Sequence, residues 1–314
     1  MNIVDAGARY GIHPSFKSIF DISKFYLFEP EPIEFNRLVK KFSENSNVKV
    51  SNLALSNKKD NLKLRINQHT ALSTLKNLGS YVNEENYKFE EFREVSSVNV
   101  QTESIDNIFQ NSKVDFLKLD VEGFELNVLE GAQFQLENNI VGVRSEVTFV
   151  DMHDNGPSFG KINEFLLSKN FELLNLDYNG QGFPLSNITN PKKFGKLIGT
   201  DAVFIKKLKY LKDEPTKLEN YLNIVIFCLI NGATDVAVAI LLELTKTNKF
   251  LESLHLKKIG FIKKNLALTC KELMYNPNID VHMIQQIWST IFSEDFPKLA
   301  DFWVIFGDEN EVVL

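Results

Sequence analysis

Short apolar segments alternate with helix-like segments through the first 209 residues of the chain. Ile3 and Val4 indicate a buried strand, and residues 25–29 indicate a second one. Continuous apolar strands that are joined by helices are typical of a parallel sheet. The apolar stretches at 171–176 and 202–205 then predict an antiparallel pair of strands. This order predicts an α/β fold, with a doubly wound, mostly parallel sheet and an antiparallel terminal strand pair.

The turn after the first strand contains Gly7 and Gly11, directly beyond Asp5. Glycine tolerates positive φ and lets the backbone approach a ligand closely. In an open α/β sheet, ligands bind where a strand gives way to its helix, and the N-terminus of that helix offers free N–H donors. Two glycines at this spacing also fit an ordinary tight loop, so the turn alone leaves both interpretations open.

Carboxylates mark three later strands of the predicted sheet. Glu29 closes the second strand, where a carboxylate can accept both hydroxyls of an adenosine ribose. Asp120 closes the strand at 115–120, and Glu146 lies on the strand at 141–150. We therefore expect these carboxylates to lie over one cleft, at the carboxyl ends of the strands.

Composition and charge argue against several classes of protein. The formal charge of −6 disfavours a generic nucleic-acid or anionic-membrane surface. The longest apolar run, residues 221–230, is too short to span a bilayer, and residues 1–10 do not resemble a signal peptide. Cys228 and Cys270 fall in apolar, helix-like sequence, so we expect buried free thiols and no cysteine metal site. These features predict a cytoplasmic protein.

The composition changes near Tyr210, where the lysine-rich stretch 206–215 indicates a linker. Beyond it, apolar residues recur at helical spacing, in segments near 216–230, 233–247, 251–274, 279–292 and 296–305. The sequence thus predicts two domains, an α/β domain at 1–209 and a smaller all-α domain of unknown role at 210–314.

Six short segments follow or end the strands of the predicted α/β domain. They are Val4-Asp5-Ala6-Gly7-Ala8-Arg9-Tyr10-Gly11, Phe28-Glu29-Pro30-Glu31-Pro32, Asn52-Leu53-Ala54-Leu55-Ser56, the stretch 115–123, Val128-Leu129-Glu130-Gly131-Ala132 and Gly199-Thr200-Asp201-Ala202-Val203-Phe204. The most specific of them is Asp-Val-Glu-Gly-Phe-Glu at residues 120–125, which begins within the fourth segment. In this order they resemble the FkbM family of S-adenosylmethionine-dependent methyltransferases. The resemblance covers about residues 2–208, the predicted Rossmann-like domain. It implies S-adenosylmethionine as the cofactor and O-methylation, often of sugar hydroxyls in polysaccharides or natural products.

The resemblance also implies which residues bind the methyl donor. The implied donor-binding residues are Asp5, Gly7 and Gly11 around the methionine part, Glu29 at the ribose, Asn52, Leu53 and Ala54 near the adenine, and Lys118 on the reactive side of the cleft.

The chemistry of methyl transfer to a hydroxyl requires a group that takes up a proton. Transfer from a sulfonium is an in-line displacement, so alignment of the reactants does much of the catalytic work. A hydroxyl acceptor must also lose its proton to a base within hydrogen-bond reach. Our catalytic candidates are Asp120, Glu146 and His153, whereas Glu122 is interpreted as a cap of the following helix.

If the three catalytic candidates converge, they could also bind a divalent cation that polarises the acceptor hydroxyl. Three such ligands without a spacing motif are a weak signal, so the sequence does not predict a metal.

Two alternative functions differ from a methyltransferase. A nicotinamide-dependent oxidoreductase would carry G-x-G-x-x-G, whereas this chain has G-x-x-x-G at residues 7–11. A donor-binding or scaffold protein would use the helical tail to recruit a partner. For the methyltransferase, we expect a small-molecule or glycan acceptor. The polar insertion at 67–94 is expected to shape the acceptor site as a lid or binding loop, although most of its residues also fit a partly ordered surface excursion.

Overall fold

The structure, a computed structural model, describes residues 1–83, 90–181, 197–211, 216–245 and 256–273, with Ser289. The chain divides into two compact units. The first comprises residues 1–13 and 23–212, and the second comprises residues 14–22 and 213–314. The short 3-10 helix Pro14–Ile22 thus groups with the C-terminal helices. The division into domains at residue 209 stays a prediction.

Ten strands form two sheets in the described part of the chain. They are β1 (Asn2–Ala6), β2 (Lys24–Phe28), β3 (Val48–Ser51), β4 (Ala54–Leu55), β5 (Asp60–Asn67), β6 (Glu94–Glu103), β7 (Phe116–Leu119), β8 (Gly142–Thr148), β9 (Phe171–Gln181) and β10 (Gly199–Lys206). The larger sheet has the order β3-β2-β1-β7-β8-β10-β9. Its strands are parallel from β3 to β8, whereas β10 runs antiparallel to both β8 and β9. The predicted Rossmann-like α/β fold with an antiparallel terminal pair is confirmed.

The smaller sheet has the order β4-β6-β5. The apolar residues at 48–55 predict one strand, and this prediction is wrong, because the stretch forms β3 and β4 in two different sheets. The side-chain amide of Asn52 donates to the backbone oxygens of Glu29 and Pro30, at 3.1 and 3.0 Å. These hydrogen bonds hold Asn52 at the end of β2, where the chain leaves β3 and enters β4.

The first unit contains six α-helices in its described residues. They are α1 (Pro32–Lys41), α2 (Ser80–Asn83), α3 (Ile105–Ile108), α4 (Glu125–Glu130), α5 (Gln133–Asn138) and α6 (Phe159–Ser168). The amphipathic pattern of residues 126–136 predicts a single helix, and the structure has two, α4 and α5. Gly131 separates them, because a Cβ atom there would lie 2.0 Å from the Ser56 carbonyl oxygen and the two backbones touch. The insertion holds α2 and the 3-10 helices Thr70–Leu72 and Glu90–Phe92, and its residues 84–89 lie outside the described residues.

A large apolar core of the first unit packs against one face of the large sheet, and the opposite face also buries apolar side chains such as Ile3. Alternate residues of a strand point to opposite faces, so Val4 and Leu117 enter this core while Asp5 and Lys118 face the other way. Helices α4 to α6 close the core with Val128, Leu129, Leu136, Ile162 and Leu166. Charged side chains of the central strands are thereby collected on the opposite face.

The second unit contains the helices Thr216–Ile230, Thr234–Thr245 and Leu256–Leu273. Gly232, at φ +73°, makes the turn of the predicted helical hairpin. Cys228 is a buried free thiol, as expected. The side chain of Cys270 and the helices expected near 279–292 and 296–305 lie outside the described residues, apart from Ser289.

Among the described helices, none combines the length and the apolar character that crossing a membrane requires. The cytoplasmic location stays a prediction.

Candidate active site

The candidate site lies where the strand order of the large sheet reverses. β1 pairs with β2 on one side and with β7 on the other. Ligands of open α/β sheets bind outside the carboxyl ends of the strands at such a point. Gly7 directly follows β1, and Asp120 directly follows β7, so two of the predicted strand ends meet here.

Gly7 and Asp120 touch through their backbones. Gly7 has a φ of +75°, and a Cβ atom there would lie 1.8 Å from the Asp120 carbonyl oxygen. The Gly7 N–H donates to the Phe28 carbonyl oxygen at 3.1 Å, which ties the turn to β2 as well. Gly11, at φ +91°, closes the turn by donating its N–H to the Ala8 carbonyl oxygen at 2.7 Å. Glycine is required at residue 7 because no side chain fits this contact.

A cleft opens over these strand ends. The predicted residues that line it are Gly7, Glu29, Leu53, Ala54, Asp120 and Glu146. The insertion contributes Thr70, Ala71, Ser73 and Leu75 to the same wall. Donor-binding and catalytic candidates that are far apart in sequence therefore share one cleft with part of the insertion.

Glu29 is 4% exposed and lies at the β2 end of the cleft. Its Oε1 accepts the N–H of Glu31 at 2.9 Å. Burial raises the pKa of Glu29 to about 7, although this hydrogen bond and the nearby Arg9 guanidinium act in the opposite direction. Glu29 is consequently poised between its neutral and ionised forms near neutral pH.

Asp5 and Lys118 form a buried ion pair beneath the glycine turn. Lys118 Nζ lies 3.1 Å from Asp5 Oδ1 and 3.3 Å from Asp120 Oδ2, and it donates to the Gly7 carbonyl oxygen at 3.3 Å. Burial raises the pKa of Asp5 to about 6 in spite of Lys118. Burial disfavours the lysine charge as well, but Asp120 and Asp5 outweigh it and raise the pKa of Lys118 above its usual value. Asp5 and Lys118, like Gly11 and Asn52, do not line the cleft themselves; they contact the segments that do.

Three carboxylates converge at the β7 end of the cleft. One oxygen each of Asp120, Glu122 and Glu146 lies within 4.8 Å of the others. Glu122 has a left-handed φ of 51°, and Thr74 Oγ1 from the insertion donates to its carbonyl oxygen at 2.6 Å. Burial and then the neighbouring carboxylates raise the pKa of both Glu122 and Glu146 well above the ordinary value. Ionisation of all three carboxyl groups together is therefore unfavourable unless a positive charge compensates them.

The interpretation of Glu122 as a helix cap is wrong. Glu125 has that role, since its Oε1 accepts the N–H groups of Val121 and Gly123 at 3.0 and 3.3 Å. The left-handed backbone at Glu122 turns its side chain toward the other carboxylates instead. Glu122 is thus a candidate functional residue that the sequence reasoning missed.

His153 lines a second cavity, next to the carboxylate cluster, and Glu146 lines both cavities. The imidazole packs on Gly123, where a Cβ atom would lie 2.5 Å from His153 Cγ. His153 Nε2 is 3.8 Å from Glu122 Oε2. Burial lowers the pKa of His153 to about 4, so the ring is neutral at physiological pH. All three catalytic candidates therefore meet around Glu122.

A row of charged residues continues from this cluster across the sheet. Arg144 on β8 binds Asp201 at 2.8 Å and also binds Asp177. His13 Nε2 lies 3.9 Å from Asp201 Oδ2, and burial lowers the pKa of His13 to about 4. The sequence reasoning gave no role to His13 or Asp201. The signal for Asp201 is a charged residue within the mostly apolar strand β10, whereas His13 lies outside any strand and carries no such signal.

A sequence model of the family described as methyltransferase FkbM domain matches residues 5–173, more than half of the chain. The chain belongs to this family. The matched stretch of the FkbM domain contains the glycine turn, Glu29, the carboxylate cluster and His153, and it ends before Asp177 and Asp201. The coarse part of the predicted function, a methyltransferase, is thereby supported.

Two solved structures are similar to the FkbM chain. A methyltransferase FkbM from Methylobacillus flagellatus has 14% sequence identity and a TM-score of 0.39, over 65% of this chain and 43% of that one. A putative rRNA-methylase from Clostridium thermocellum has 12% identity and a TM-score of 0.28, over 65% of this chain and 86% of that one. The chain thus spans less than half of the first protein's length. No curated protein matches the chain.

Proposed function

We propose that this FkbM protein is an S-adenosylmethionine-dependent O-methyltransferase. It transfers a methyl group to a hydroxyl, that of a sugar in a glycan, a polysaccharide or a natural product. The observation that carries the proposal is one cleft at the reversal of strand order, with Glu29 at one end and the carboxylates of Asp120 and Glu146 at the other. In this proposal Glu29 binds the ribose of the donor, and the carboxylates at the other end of the cleft can take up the proton of the acceptor.

The lining of the cleft fits the three parts of the donor. The Glu29 carboxylate accepts the ribose hydroxyls, and the apolar Leu53 and Ala54 lie beside it for the adenine. Gly7 leaves its backbone bare for the methionine part, where a side chain could not stand. In this proposal Asp5, Gly11, Asn52 and Lys118 hold the cleft in shape through the contacts described above.

Alignment and proton removal are the two tasks of the protein. Bound S-adenosylmethionine supplies an already reactive methyl group, so holding the acceptor in line contributes up to about 7–11 kcal/mol to lowering the barrier. Asp120 or Glu146 then takes the hydroxyl proton, since both line the cleft at its β7 end. The raised pKa of Glu146 makes its carboxylate a stronger base than an exposed one. His153 lies in the adjoining cavity, 3.8 Å from the Glu122 carboxylate.

Donor binding and acceptor identity are tested separately. Calorimetric titration with S-adenosylmethionine should show one site per chain, weakened about 10–100-fold in Glu29→Ala, because a hydrogen bond to a charged group is lost. The matched control is Glu172→Ala, which removes an exposed carboxylate of β9 that does not line the cleft.

A methyl-transfer screen of nucleotide sugars and free glycans, read by mass shift, then identifies the acceptor. Absence of binding by the intact protein, with no difference in Glu29→Ala, would overturn the proposal.

A further inference from the structure

The cluster of Asp120, Glu122 and Glu146 has a geometry that a single ion can bridge. Their nearest oxygens all lie within 4.8 Å of one another. Ligand oxygens bind Mg²⁺ at about 2.0–2.1 Å, so two of them on opposite sides of an ion are about 4.2 Å apart. Neighbouring ligands around such an ion are about 2.9 Å apart, so rotation of the three side chains toward a shared ion brings the carboxylates into coordination range.

His153 supplies the independent observation. Its side chain is buried, at 4% exposure, and Nε2 has no hydrogen-bond partner among the described residues. This nitrogen lies beside one member of the cluster, 3.8 Å from Glu122 Oε2, which is too far for a hydrogen bond and close enough for two ligands of one ion. It does not lie within 4.8 Å of all three carboxylates, so His153 is at the edge of the cluster. A buried nitrogen without a partner costs free energy unless something else satisfies it.

From these contacts we infer that Asp120, Glu122, Glu146 and His153 form a binding site for one divalent cation of the Mg²⁺ and Mn²⁺ class. Carboxylate oxygens are the ligands that Mg²⁺ and Mn²⁺ prefer, and a neutral imidazole nitrogen shifts the preference toward Mn²⁺. The set contains no thiolate, which disfavours a structural zinc site of the cysteine type.

The charge around the cluster is consistent with a cation there. Lys118 lies 3.3 Å from Asp120 Oδ2 and also binds Asp5, so it compensates one carboxylate of the cluster in part, whereas Arg144 binds Asp177 and Asp201. Among the described residues, neither Glu122 nor Glu146 forms an ion pair with a lysine or an arginine. Like charges at this separation repel strongly in a partly buried site, and a divalent cation reverses the sign of that interaction.

The ligand arrangement is held rigidly by groups outside the cluster. Thr74 Oγ1 fixes the Glu122 carbonyl oxygen, and Glu125 fixes the N–H groups on both sides of that residue. Gly123 packs under the imidazole of His153. Preorganised ligands lose little entropy on binding, which favours affinity. The cation lies beside both cavities, and its use there, to polarise the acceptor hydroxyl, rests on the proposed function.

The test is Mn²⁺ binding to the full-length chain, freed of metal by chelation and followed by the loss of the electron paramagnetic resonance signal of free Mn²⁺. We expect one Mn²⁺ per chain. Glu122→Gln, Glu146→Gln and His153→Gln should each weaken it at least about tenfold, as even outer-shell changes commonly do. Asp154→Asn is the matched control, because it removes a neighbouring exposed carboxylate whose side chain bonds only Asn155; its affinity should be unchanged.

Circular dichroism and S-adenosylmethionine titration of each variant show whether it is folded. No Mn²⁺ binding by the wild-type chain would overturn the inference, as would equal binding in folded Glu122→Gln and Glu146→Gln. An equal loss of Mn²⁺ affinity in Asp154→Asn and in the cluster variants would also overturn it, since the general negative charge of this surface would then account for Mn²⁺ binding. If the chain binds S-adenosylmethionine but not Mn²⁺, the metal site alone is rejected. If it binds Mn²⁺ but not S-adenosylmethionine, the proposed donor alone is rejected.

Discussion

The His153 imidazole and the Glu122 carboxylate face each other with 3.8 Å between Nε2 and Oε2. Glu122 stands in the turn after β7, and His153 stands in the loop after β8, so two adjacent parallel strands deliver them to one place. Glu122 lines the cleft at the strand ends, His153 lines the second cavity, and Glu146 lines both.

Gly7→Ala should damage both the fold and the cleft. The added Cβ would lie 1.8 Å from the Asp120 carbonyl oxygen, and alanine at φ +75° is strained. We expect destabilisation of about 2–4 kcal/mol, measured by chemical denaturation. Gly160→Ala is the control, because its nearest neighbour is Ser158 Oγ at 3.7 Å and its helix should gain up to about 1 kcal/mol. Equal stability of both variants would contradict the contact.

Donor affinity should rise with pH through the pKa of Glu29. Burial raises this pKa to about 7, and the ionised carboxylate is the better acceptor for ribose hydroxyls. Below pH 7 the protonated form dominates, so affinity for S-adenosylmethionine should fall about tenfold between pH 8 and pH 6. Glu29→Gln should bind more weakly and lose this dependence, while keeping any dependence due to the donor's own groups. An identical pH profile in the two proteins would show that Glu29 does not bind the donor.

Asp120→Asn and Glu146→Gln should abolish transfer without abolishing donor binding. Removal of a base that takes the acceptor proton costs about 10²–10⁴-fold in rate. S-adenosylmethionine titration should stay near the wild-type value, because neither carboxylate contacts Glu29 at the other end of the cleft. Activity is measured by mass shift on the acceptor that the screen identifies. Full activity in both variants would mean that the acid–base assignment is wrong.

Lys206→Met should destabilise the first unit. Lys206 is 4% exposed and donates to the carbonyl oxygens of Leu136 and Lys169, at 2.7 and 2.8 Å, where α5 and α6 end. Methionine keeps the apolar stem but leaves both oxygens without this donor, at a cost of about 2 kcal/mol or more. Lys207→Met is the control on the less buried neighbouring residue. A denaturation midpoint equal to that of the wild type would refute this role.

The sheet could be predicted from the sequence because its strands are short, apolar and separated by helices. Strand pairing in this fold follows from burial on both faces, and the sequence carries that signal directly. The breaks within predicted elements could not be found this way. They depend on tertiary contacts, namely the Asn52 amide on the Glu29 and Pro30 oxygens and the close passage of Gly131 past Ser56.

The candidate site was predictable where a residue ends a strand, as for Glu29 and Asp120. Glu122 was missed because its side-chain direction depends on a left-handed backbone that glutamate rarely adopts. A carboxylate near a helix start suggests a cap, and that reasoning fits Glu125 instead. The neutral state of His153 depends on its burial against Gly123, which no spacing rule encodes.

The hydrogen bond from Lys118 Nζ to the Gly7 carbonyl oxygen spans 111 positions of the chain. During synthesis, the glycine turn emerges long before the strand that completes its cleft. Contacts between distant residues form late, because closing a long loop loses chain entropy before any contact is gained. The donor cleft is therefore a product of finished folding, and a nascent chain that stops short of β7 carries the turn without a site.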